Sequence, residues 1–114
     1  MSTIDAWTYR GSVVARDIVG YDVKALDGEI GTVRDASDEV GGSYIIVDTG
    51  PWIFGKKVML PAIAIDRVDH SDERIWVNRS KEEIKNAPEF DASRYRDDHY
   101  RRDLAAYYTA RTNR

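Results

Sequence analysis

The residues of this chain whose types and spacing invite chemistry fall in two places. The first is Asp66, Asp69, His70, Asp72 and Glu73, a short run offering several carboxylates and one imidazole. Oxygen ligands suit calcium or magnesium, and an imidazole widens the set towards softer metals. The run lacks the glycine and the closing glutamate of a calcium loop and straddles a turn signal, where solvated acids are the ordinary occupants. It is read as a turn, with no metal and no cofactor expected. The second place is the C-terminal stretch, where Arg94, Arg96, Arg101, Arg102 and Arg111 alternate with tyrosines. Arginines there can touch phosphates while tyrosines stack on bases. Asp97, Asp98 and Asp103 interrupt the run, so a solvated helix face is the competing and preferred reading. The two histidines, His70 and His99, lie in separate charged segments, and no nucleophile stands near a positioned base. No enzyme is expected.

Composition sets the frame. A chain of 114 residues is one domain with a modest core. The formal charge of −3 divides unevenly: residues 1–90 carry 11 Lys/Arg against 16 Asp/Glu, and residues 91–114 carry 6 against 4. The body is therefore acidic and repels phosphate polymers, leaving any nucleic-acid contact to the tail or to a local patch. The absence of cysteine removes disulfides and thiolate chemistry and suits a reducing compartment. No apolar run approaches the ~20 residues that span a bilayer, and the N-terminus has no signal-peptide core. The expectation is a cytoplasmic protein that does not insert into membranes.

Three regions must position these residues: an arm over 1–19 bearing Trp7 and Tyr9, a β-rich body over 20–91, and a charged helical tail over 92–114. In the body, Tyr21 and Val23 alternate with polar residues up to Asp27-Gly28, a strong hairpin signal. A returning strand follows through Ile30 to Arg34, and Gly31 within it predicts a bulge or bend. After the polar link 35–42, Ser43 to Thr49 is the best strand in the chain. Its two faces, Ile45 with Val47 and Tyr44 with Ile46, are both apolar, as in a strand covered on both sides. Lys56 to Leu60 forms another strand ending at a Pro61 corner, and Arg74 to Asn78 the last clear one. Ser80-Lys81-Glu82-Glu83 reads as a capping box opening a short helix to about Lys85, closed before Pro88.

Two features remain for an interface. Gly50 to Gly55 is a loop by its glycines and proline, yet it carries Trp52, Ile53 and Phe54, which either plug the body or stand out as an anchor. In the tail, Tyr100, Leu104, Tyr107 and Tyr108 share one helical stripe that must pack on its own domain or on a second chain.

From Gly20 to Asp91 the chain resembles the PRC-barrel domain. The carriers are Gly20-Tyr21-Asp22-Val23, Asp27-Gly28-Glu29-Ile30-Gly31-Thr32-Val33, the strand Tyr44 to Val47, the segment Val58 to Ile65, and the close from Ser80 to Asp91. The resemblance implies a small closed or partly open β-barrel of about six antiparallel strands. It also implies a docking role, since the module occurs in proteins that serve as platforms for other proteins or ribonucleoprotein. Two functions follow as expectations: a protein-interaction module that self-associates, most simply as a dimer, and alternatively an RNA- or ribosome-associated factor working through the tail.

Overall fold

The computed structural model describes residues 15–37, 43–50, 57–88, 90, 93 and 97–112. Trp7, Tyr9, Trp52, Ile53, Phe54, Arg94 and Arg96 lie outside these, and so does the side chain of Arg111. A four-residue helix α1 (Ala15–Ile18) leads into strands β1 (Asp22–Ala25), β2 (Gly28–Ser37), β3 (Tyr44–Asp48) and β4 (Lys57–Pro61). A 3-10 turn (Ala62–Ala64) joins β4 to β5 (Ile65–Asp69), and β6 (Arg74–Val77), α2 (Lys81–Lys85) and α3 (Asp98–Thr112) complete the order.

The six strands form one sheet in the order β4-β3-β2-β1-β6-β5. It is mixed rather than wholly antiparallel, because β1 and β6 run parallel, with Asp22 beside Arg74 and Lys24 beside Trp76. It is barrel-like but open, since β4 and β5 at its two ends are not paired with each other among the described residues. The 3-10 turn bridges that gap: Ala62 N–H donates to the Ser43 carbonyl at one end, and Asn78 N–H donates to the Ala64 carbonyl at the other. Coiling comes from register slips in three of the antiparallel pairs, at Val23/Lys24, Val33/Asp35 and Ile65/Arg67, since an extra residue bends and twists a strand.

The hairpin falls where expected but one residue earlier, with Ala25 and Gly28 paired across Leu26 and Asp27. Gly31 sits at the first slip with φ +149°, and a Cβ there would lie 1.9 Å from the Asp48 carbonyl oxygen. Only glycine admits that approach. The Ser80 capping box is formed: the Ser80 hydroxyl accepts from Glu83 N–H, and the Glu83 carboxylate accepts from Ser80 N–H.

The core explains why β3 is apolar on both faces. Ile45, Val47, Leu60, Val23, Ile30, Ile75 and Val77 are buried, and Ile18 of α1 joins the same cluster. Tyr44, on the opposite face of β3, lies under α3, with the Arg101 guanidinium 5.4 Å from its ring. The tail helix packs against β4 and the 3-10 turn of its own chain.

Candidate functional site

The tail stripe comes first. Tyr100 is 7% exposed, and Leu104 and Tyr108 are fully buried in the chain's own core. Tyr107 is half-buried and donates its hydroxyl to the Glu83 carbonyl of α2. Arg79, 3% exposed, reaches between the elements: its guanidinium donates to the Tyr108 carbonyl at 2.6 Å and to the Asn78 side chain. Burial pushes the Tyr108 phenol well above its ordinary range. These residues, expected at an interface, therefore hold α3 to the body in cis. Of the tail arginines, Arg101 is half-buried beside Tyr44 and Arg102 is exposed.

The acidic run is a turn. Asp69 accepts from the backbone N–H groups of Ser71 and Asp72 at 3.0 and 3.1 Å. His70 Nδ1 meets the Tyr21 hydroxyl at 2.9 Å. Among the described residues no group of three or more acids and histidines is placed to hold a metal ion. His99 faces Asp103 one helical turn on, at 3.5 Å, with both side chains exposed. The two histidines thus serve different elements, and the structure does not bring them together.

What the structure assembles instead is a face not evident in the sequence. β1, β6 and β5 lie side by side, and each turns alternate residues outward. Register then places Lys24 of β1 and Arg67 of β5 on the two sides of Trp76 of β6. Lys24 Nζ and Arg67 Cζ are each 5.2 Å from the Trp76 ring centroid, and Arg74 Cζ is 5.8 Å from it. Each such contact contributes about 0.5–1 kcal/mol where exposed. Trp76 itself is partly buried among them. A basic, aromatic, solvent-facing cluster on a rigid sheet can receive an anionic or mixed polar and apolar partner. The alternation Arg74-Ile75-Trp76-Val77 is the trace it leaves in the sequence, and Lys24 and Arg67 join it only through pairing.

A concavity of about 220 Å³ lies between β4 and the chain after α2, lined by Met59, Ile84, Pro88, Phe90 and Tyr108 among others.

The fold and this face together define a small, open, barrel-like β domain with a helix packed in cis. Among solved structures, the chain is similar to the crystal structure of RimM from Pseudomonas aeruginosa, described as a 16S ribosomal RNA processing protein. The TM-score is 0.52 at 11% identity, and the likeness covers 61% of this chain and 45% of that one. At that identity the likeness shows the fold alone. No family model and no curated protein matches the chain.

Proposed function

We propose that this chain is a non-enzymatic docking domain of PRC-barrel type, which binds a protein partner through the solvent face of β1, β6 and β5. The observation that carries the reading is the cluster of Lys24, Arg67 and Arg74 around a partly buried Trp76. Tryptophan and arginine are the residues most enriched among those that dominate binding energy at interfaces. The fold likeness to RimM supports a barrel-like fold. Recovery of the tagged full-length chain from its native cells, with cross-linking, tests the proposal. A protein partner retained by the wild type and lost by Arg67→Glu supports it; an unchanged partner set in that variant overturns it.

Self-association is a separate part of the proposal. With Tyr100, Leu104 and Tyr108 taken up in cis, it rests on Trp52, Ile53 and Phe54, and light scattering on the wild type and on Trp52→Ser tests it. A monomer at high micromolar concentration removes it.

The second reading is a ribosome-associated factor. It is favoured by the fold neighbour's description as a 16S ribosomal RNA processing protein, and by the exposed Arg102 on α3. Co-sedimentation with ribosomal particles, released by moderate salt, supports it. Failure to co-sediment at low salt counts against it.

A further inference from the structure

We infer that the face around Trp76 receives an acidic segment of the partner protein, with its carboxylates taken by Arg67, Arg74 and Lys24; this rests on the docking reading and specifies the partner's chemistry. Three cationic groups from three strands converge on one indole. None of the three forms an ion pair within the described residues. Acids nevertheless stand next to them in register: Glu29 opposite Lys24, and Asp22 and Asp69 on the two sides of Arg74. Arg67 is exposed, and a guanidinium fork matches a carboxylate in two hydrogen bonds.

The same three acids decide between a peptide and a nucleic acid. A phosphate backbone carries a charge at every nucleotide, so a strand crossing this face meets Asp22, Glu29 and Asp69 as well as the cations, against a net charge of −3. A peptide places one or two carboxylates on the cations and turns neutral or apolar residues towards Trp76 and the acids. Cations and acids alternate across this face, three against three, so it suits spaced carboxylates and not a continuous run of negative charge.

The test titrates a synthetic peptide with two glutamates spaced by neutral residues and one leucine into the isotope-labelled protein at low salt, alongside a poly-uridylate oligonucleotide of equal charge. Nuclear magnetic resonance follows the Trp76 indole N–H and the arginine Nε–H signals, and a carbodiimide then couples amines to bound carboxylates. The expected result is movement of the Trp76, Arg67 and Arg74 signals with the peptide, coupling at Lys24, and binding weakened about tenfold or more by Arg67→Glu with Arg74→Glu. If that pair disturbs the backbone spectrum, Arg67→Gln alone, at an exposed position, must still weaken binding. Signals that stay still at Trp76, coupling confined to lysines elsewhere, or tighter binding of the oligonucleotide at this face each overturn the inference. Protein partners cross-linked at this face through neutral or basic segments overturn it while leaving the docking reading intact; partners confined to another face, or no protein partner at all, remove both.

Discussion

Gly31 and Tyr108 show how single residues fix this fold. The approach of the Asp48 carbonyl to Gly31 leaves no room for a Cβ, and the φ of +149° adds strain for any other residue. Gly31→Ala is expected to cost about 2–4 kcal/mol, read as a lower urea midpoint with an unchanged slope. Tyr108 gives a pH dependence. Its phenol is held protonated by burial, so its folded pKa lies above the unfolded value of about 10. The neutral form is thus fully stabilising below about pH 10, and that stability is lost as pH rises further, because the unfolded chain ionises first. Melting temperature should be level to about pH 10 and then fall, and Tyr108→Phe should blunt the fall. The glycine was legible as a bulge; its reason, a carbonyl on another strand, was not, because nothing local encodes it.

At the scale of elements, α2, α3 and the turns read well from the sequence because their signals are local, whereas the four-residue α1 went unread within the arm over 1–19. The Ser80 capping box, the Pro61 corner and the tyrosine-leucine stripe each depend on residues within a turn or two of one another. The parallel pairing of β1 with β6 does not, since residues about fifty positions apart carry no shared pattern. That pairing is what brings Lys24 to Trp76, so the candidate face was as hidden as the topology. The start of the tail helix, at Asp98 rather than near Ala92, shows the usual weakness of boundaries where charged residues fit helix and coil alike. Arg79 joins β6 to α3 through the Tyr108 carbonyl. Arg79→Met should therefore loosen α3 from the body, costing about 2–4 kcal/mol. Hydrogen exchange should rise in residues 98–112 while β2 and β3 stay protected. Ser80→Ala should cost about 1 kcal/mol through the lost cap, measured by thermal melting.

At the scale of the molecule, the described residues make the sheet a frame with different cover on its two ends. α3 covers the face of β3 and β4 that the barrel interior does not, the 3-10 turn spans the open edge, and the β1, β6 and β5 surface keeps its cations and indole outward. Among the described residues no helix is long and apolar enough to cross a membrane. The most direct measurement of the docking claim is site-specific photo-cross-linking in native cells, with the reactive side chain placed in turn at exposed Glu29, opposite Lys24 on this face, and at exposed Arg102. The account predicts protein adducts from position 29 that disappear when Arg67→Glu is added. Adducts from position 102 alone, or RNA in place of protein at position 29, would contradict it.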